Sequence, residues 1–172
     1  MPNPKTEEIE WFRPDPRAIL PLDKFHCSHS LQKVIRKKEF SITFDQSLSE
    51  VISLCGKRQE TWINSEFKRA YNELHQLGYA HSVEVWAGTS LAGGVYGVSL
   101  GGAFFAESMF SLETNASKIA LFELVSHLNH SGFLLLEVQF LTPHLQSLGA
   151  TEIPDGAYSL LLEKALKALA IF

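Results

Sequence analysis

Only two cysteines, Cys27 and Cys55, occur in the 172 residues, and neither sits in a CxxC or any other zinc-ligand spacing. Two thiols cannot build a disulfide framework, so the cysteine usage predicts a reducing compartment. The opening "MPNPKTEEIE" has neither a positively charged start nor an apolar core, which excludes a secretory signal. No apolar run reaches the roughly 20 residues that a membrane-spanning helix needs. Together these absences predict a cytosolic protein. An excess of positive charge is also missing: the net charge is −4, so any nucleic-acid contact has to come from a local patch. No Ser-His-Asp or Cys-His set shows convincing spacing for nucleophilic catalysis. His26, Cys27 and His29 lie close together, as do His127 and His130, but a third and fourth ligand at suitable spacing are lacking, and no metal site is expected. Internal repeats and low-complexity linkers are absent too.

What remains is a balanced chain with 45% hydrophobic and 20% charged residues, enough for one ordinary domain. Residues 1–25 carry Pro2, Pro4, Pro14, Pro16 and Pro21, a density that excludes a regular helix. Trp11, Phe12, Ile19 and Leu20 in the same stretch call for burial. A short proline-rich N-terminal arm is therefore expected over 1–25, extended and packed, ahead of a main domain over 26–172. "SHSLQKVIRKK" (28–38) reads as a helix capped by Ser28 or Ser30, with Leu31, Val34 and Ile35 as its apolar stripe. "FSITFD" alternates as a strand, and "SLSEVISLCGK" reads as a second helix from a cap at Ser47 to Gly56. A third helix follows Asn64 or Ser65 and stops at Gly78.

Three strand-like segments come next, "HSVEVW", "LAGGVYGVSL" and "AFFAESMF", joined by the short turns "AGTS" and "GG" as in a meander. A helix is predicted from about Asn115 to His130, then a buried strand "FLLLEVQF", a short helix in "TPHLQSLGA" and an amphipathic segment "AYSLLLEKALKALAIF". The expected class is α+β, a mixed central sheet flanked by helices. Strand–strand–strand–helix–strand–helix resembles the core order of the GNAT-like acyltransferase fold. Chemistry is then expected where the fourth and fifth strands, 103–109 and 133–140, splay apart.

Two features bear on that chemistry. A coenzyme A site in this fold uses a Gly-rich turn that leads into a helix N-terminus. The corresponding "SLETNAS" contains no glycine and carries Glu113, so a coenzyme A donor is disfavoured. In "FLLLEVQF" alternation puts Glu137 and Gln139 on one face of an otherwise apolar strand. Glu137 either pairs with a buried arginine, emerges at the strand end, or takes part in the reaction, converging with Glu107 of the neighbouring strand on one cleft. Lys33, Arg36, Lys37 and Lys38 are either a solvated helix face or a phosphate-holding patch whose binding falls with salt.

The stretches "WFRPDPRAIL", "TWI", "AYNELHQLGYAHSVEVW", "LAGGVYGVSLGGAFFAESMFSLETNASK" and "VQFLTPHLQSLGATEIP" together resemble the leucyl/phenylalanyl-tRNA–protein transferase family over nearly the whole chain. The resemblance implies an aminoacyltransferase, a leucyl- or phenylalanyltransferase, that uses Leu-tRNA or Phe-tRNA as acyl donor and needs no cofactor. It implies an acceptor protein beginning with Arg or Lys, a product marked for degradation, and a monomer. By position, Trp62, Tyr71, Val95 and Leu121 match donor-pocket segments. Phe12 matches an aromatic that packs on the tRNA end, and Leu124 stands where the family often has phenylalanine. Glu137-Val138-Gln139 matches an acid-x-Gln motif that usually begins with Asp. Glu137, Gln139 and Glu107 are the catalytic candidates, Met109 and Phe110 apolar walls beside Glu107, and the basic run the tRNA contact. The family's N-terminal segment ends in Gly-Ile-Phe-Pro; this sequence begins where that motif leaves off, so 1–25 is expected to be its remnant. The other readings are a non-catalytic binder of aminoacyl-tRNA ends or N-degrons, and a GNAT N-acetyltransferase.

Overall fold

The computed structural model describes residues 13–57 and 61–172. Their elements run β1 (Arg17–Ile19), α1 (His29–Lys37), β2 (Ser41–Phe44), α2 (Leu48–Cys55), α3 (Ser65–Gln76), β3 (Ala80–Ala87), β4 (Ser90–Leu100), β5 (Ala103–Ser111), α4 (Ala116–His130), β6 (Leu135–Gln139), α5 (Pro143–Ser147), β7 (Thr151–Ile153) and α6 (Asp155–Leu166). Local chemistry sets several of these bounds. Ser28 Oγ accepts from the Leu31 amide and starts α1, and Asn64 Oδ1 accepts from the Phe67 amide at 2.9 Å and starts α3. Thr142 caps α5 with Pro143 in its first turn. Gly78, at φ +78°, takes the chain out of α3.

A seven-stranded sheet is built in the order β2-β3-β4-β5-β6-β1-β7. The meander β3–β4–β5 is antiparallel, β2 pairs antiparallel with β3, and β5 pairs parallel with β6. A parallel neighbour needs a crossover, and α4 supplies it. Arg17–Ile19, inside the stretch expected as an arm, is a strand of this sheet between β6 and β7. Its Ala18 and Leu20 are buried in the core.

Apolar side chains divide the helices between the faces. Leu31 of α1 and Ile119, Leu121, Leu124 and Leu128 of α4 pack on one face, against Val83, Val95, Phe104, Leu136 and Val138. On the other face α2 and α3 enclose Tyr71, Tyr96 and Phe110, while Tyr158, Leu162 and Ala165 of α6 pack on Ala103, Phe105 and Leu135. Gly93 allows close packing of α4: a Cβ there would sit 2.6 Å from the Ala116 Cβ. The paired glycines are thus a close-approach point. Glu84, fully buried, pins the edge: it accepts from Thr43 and Ser82 hydroxyls, each at 2.5 Å, and from the Ser47 amide at 3.3 Å. Ser47 therefore sits at the start of α2 without a side-chain cap bond.

Several elements differ from the sequence reading. The last amphipathic segment begins earlier, at Asp155, and its helix ends at Leu166. The strand expected over 133–140 is Leu135–Gln139, and β7 carries no strand signal in "ATEIP".

Candidate active site

The parallel pairing of β5 and β6 stops early. Ala103 meets Leu135, Phe104 meets Leu136 and Phe105 meets Glu137; beyond that register the strands part. A wedge opens between residues 106–111 and the end of β6.

Glu107 sits on the β5 side of this wedge. Gly97 of β4 faces Ala106 and Tyr96 faces Ser108, so Glu107 is the extra residue of a β-bulge. A bulge re-aims a side chain and breaks the alternation, and here it aims a carboxylate off the sheet. Gly97 is needed opposite: a Cβ at that position would collide with the Phe105 carbonyl oxygen. Past the bulge Met109 faces the α4 side and Phe110 the α2–α3 side, so the two do not wall one pocket.

Gln139 sits across the wedge. Its φ is +64°, and the Phe140 amide donates to the Val138 carbonyl at 2.8 Å, which makes a γ-turn with Gln139 at its centre. The positive-φ γ-turn is rare and strained, and such strain concentrates at functional positions. Gln139 Nε2 donates to Glu107 Oε2 at 3.1 Å, closing the wedge mouth. The Tyr71 hydroxyl, from α3, also bonds Glu107. Burial raises the Glu107 carboxyl above its ordinary value, and these two hydrogen bonds pull it part of the way back. Burial and the same carboxylate hold the Tyr71 phenol far above its ordinary range, so it stays a donor.

Glu137 has a different environment. Its carboxylate is buried, 2.9 Å from Arg17 Nη2 and 2.9 Å from the Tyr158 hydroxyl, which donates to it. Arg17 also donates to the Tyr158 oxygen at 3.1 Å and lies over the Tyr158 ring, 4.3 Å from its centroid. Burial pushes the Tyr158 phenol up to about 12, against the pull of Arg17. The pairing with an arginine, one of the alternatives open to Glu137, is present, with Arg17 largely buried. Sequence reasoning named neither Arg17 nor Tyr158. The signals were one arginine among prolines and one tyrosine in an apolar helix, too weak to single them out.

The other candidates fall in two groups. Val95, Leu121 and Leu124 are almost fully buried beside Met109 on the α4 face, whereas Trp62 and Tyr71 belong to the cluster on the opposite face. Phe12 lies outside the described residues. Lys33, Arg36, Lys37 and Lys38 are all exposed on or just after α1, and Lys37 reaches Glu39 at 3.5 Å.

One array corrects the sequence reading. Asp45 Oδ2 lies 2.7 Å from His81 Nδ1, and Ser99 Oγ lies 3.1 Å from His81 Nε2, a Ser-His-Asp series that spacing did not reveal. The Gly78 carbonyl competes for the same Nε2 at 3.2 Å, and Phe172 stacks on the ring with centroids 4.2 Å apart. The Asp45 carboxylate can only accept, so Nδ1 donates to it, and burial of the ring under Phe172 keeps a substrate from reaching it. The array ties β3 to β4 and to the end of β2; it is not built for attack. Among the described residues no three His, Cys, Asp or Glu side chains converge on a possible metal position.

A helix crossing between two parallel strands that then diverge places the chain in the GNAT-like acyltransferase class by its fold. The helix N-terminus that would hold a coenzyme's pyrophosphate is occupied by the chain's own groups, however. The Ala116 amide donates to the Glu113 carbonyl at 3.1 Å and the Ser117 amide to Ser111 Oγ at 3.2 Å, so the chain itself uses these helix N-terminal donors. The model of the leucyl/phenylalanyl-tRNA protein transferase family matches residues 19–163. A leucyl/phenylalanyl-tRNA–protein transferase of Herpetosiphon aurantiacus is 50% identical over 173 aligned positions, covering 100% of this chain and 91% of that protein. Another, of Salinibacter ruber, is 49% identical over 166 positions, 96% of this chain and 74% of its own length. The chain belongs to this family. Among solved structures, the C-terminal domain of a protein described as a lysylphosphatidylglycerol synthetase, from Agrobacterium fabrum, superposes with a TM-score of 0.51 at 12% identity, over 90% of this chain and 54% of that one, a likeness of fold.

Proposed function

We propose that this chain transfers Leu or Phe from the 3′ end of aminoacyl-tRNA to the N-terminal α-amine of proteins beginning with Arg or Lys, and so marks them for degradation. Family membership supports the reaction class. The observation that supports the donor is that the Ala116 and Ser117 amides are already used within the chain, which disfavours coenzyme A as the carrier.

The reaction is aminolysis of an ester. The amine nitrogen attacks the ester carbon, an amide bond forms, the ester C–O bond breaks, and the proton lost by the amine ends on the leaving ribose hydroxyl. An α-amine titrates near ~8, so the site needs only a modest proton acceptor. Glu107 attracts the incoming ammonium group and holds Gln139 in place. The Gln139 amide still has a second N–H and a carbonyl oxygen, one for the ester oxygen and one for the amine. Glu137, locked by Arg17 and Tyr158, is a positioning residue: it anchors β6 two residues before the strained turn. Much of the rate then comes from placement.

Met109 on β5 and Val138 on β6 both face the α4 side, one on each arm of the wedge. We assign the donor's Leu or Phe side chain to the space between them, with Val95, Leu121 and Leu124 behind. Trp62, edge-on to Phe67 with centroids 5.2 Å apart, offers an aromatic face for the terminal adenosine. Proteins acting in this way work in the cytoplasm, and no helix among the described residues is long and apolar enough to cross a membrane.

The test is label transfer from Phe-tRNA to an Arg-initiated peptide, with acetyl-CoA as control donor. Transfer from Phe-tRNA alone is expected. Retained tRNA binding without transfer would replace this reading with that of a binder, and acetyl transfer would replace it with an N-acetyltransferase.

A further inference from the structure

A second cavity, of about 220 Å³, lies on the α4 face at the β2 edge, away from the wedge. Phe40, Ile42 and Ile119 form its apolar floor and sides with Val34 and Ile35 of α1; Glu123 of α4 and Lys38 are its only charged lining groups. At ~30 Å³ per water the space holds about seven waters. That is small beside the ~300–1,000 Å³ of a drug-sized pocket and suits one planar heterocycle. Lys38 stands at its rim because the chain turns left-handed there, with φ 53°. The exposed Lys33, Arg36 and Lys37 lie on the other sides of the same helix, so the cavity borders a basic helix in a chain of net charge −4.

We propose that this cavity binds one unstacked nucleobase of the tRNA, upstream of the aminoacylated end; the proposal rests on the aminoacyl-tRNA reading above. An aromatic side chain with aliphatic walls gives a base its stacking surface. The Glu123 carboxylate accepts from an exocyclic amine, which favours cytosine or adenine over uracil. Burial raises the Glu123 carboxyl above its ordinary value, as expected of an acid that solvent reaches poorly. Lys38 at the rim, with the basic surface of α1 beyond it, suits a phosphate beside the base. The distance is also suitable. β2 lies three strand spacings from β5, on the order of 15 Å along the sheet at ~4.8 Å per strand, a span that a few nucleotides of single strand cover.

The experiment compares the full-length parent, Phe40→Leu and Ile42→Trp. The first removes the ring and keeps an apolar floor; the second fills the cavity. Each variant's unfolding transition is checked first. Affinity for Phe-tRNA is measured by anisotropy across a salt series, and transfer is measured from Phe-tRNA and from phenylalanyl-adenosine, which lacks the upstream base. Both variants are expected to bind Phe-tRNA about tenfold more weakly, the lower range for loss of a stacked base. The slope of affinity against salt should stay unchanged, because no phosphate contact is lost. The weakening should be confined to tRNA and absent for phenylalanyl-adenosine. Unchanged tRNA affinity in both variants overturns the proposal, as does an equal loss with both donors or a flattened salt slope. If the parent binds tRNA through this cavity but transfers nothing from either donor, the site stands and the transferase reading fails.

Discussion

Two residues, each departing from a regular strand, make the wedge mouth, and a third on the next strand makes room for them. Glu107 is the extra residue of a bulge, Gln139 the centre of a γ-turn, and Gly97 the position whose missing side chain lets the bulge close. The residue types were legible in the sequence: an acid in an aromatic run and an acid–amide pair in an apolar strand. Their placement was not. Strict alternation predicted Glu137 and Gln139 as equivalent neighbours, yet one is buried in an ion pair and the other is turned out to Glu107. Bulges and positive-φ turns depend on what the neighbouring strand allows, and a single strand's pattern carries no record of that. The partner of Glu137 was equally hidden, because Arg17 lies 120 positions away and meets it only through the β1–β6 pairing.

The environment of Glu107 has a consequence for stability. Its folded value is raised, so it holds its proton to higher pH in the folded protein than in the unfolded chain. A raised group contributes most below the unfolded value and loses that contribution as pH rises through the folded one. Glu107→Gln removes the ionisable group and keeps one oxygen to accept a hydrogen bond. Urea unfolding at several pH values between about 4 and 7.5 should show the variant gaining on the parent as pH rises through and above the carboxylate range. A gap that stays constant, or shrinks with pH, contradicts the assignment. Glu137 is a poor site for the same experiment. Removing its charge leaves Arg17 unpaired in the interior, at a cost of about 3–5 kcal/mol, so lost activity there would report the ion pair as much as the reaction.

At the scale of elements the sequence was a better guide. Helix caps at Ser28, Asn64 and Thr142, the meander and the crossover helix are local patterns, set by neighbours in the chain. β1 and β7 were not readable as strands, because three-residue strands draw their stability from partners rather than from their own pattern. α1 shows how one element can serve two purposes. Leu31 fixes it to the core, and its outward face presents Arg36 and Lys37 to solvent. Replacing both with Ala should weaken Phe-tRNA binding and flatten its log–log salt dependence by roughly one unit per lost phosphate contact. Transfer from phenylalanyl-adenosine should hold. A slope that stays the same would make the charges a solvated surface only.

Taken whole, the molecule is a sheet whose second face is covered by two separate helical layers, α2–α3 and α6, with the wedge opening where one gives way to the other. Each layer sends one tyrosine to one acid: Tyr71 to Glu107, Tyr158 to Glu137. Our proposal puts the reaction at that seam, around the Glu107–Gln139 bond across it. The most direct measurement is the single-turnover rate of Phe transfer from Phe-tRNA to an Arg-initiated peptide by Gln139→Ala, with tRNA affinity determined in parallel. If the seam is the reaction centre, the rate falls by about a hundredfold or more, the scale of losing a placed hydrogen-bonding group, while tRNA affinity is unchanged. A variant that transfers Phe as fast as the parent would move the chemistry away from the wedge.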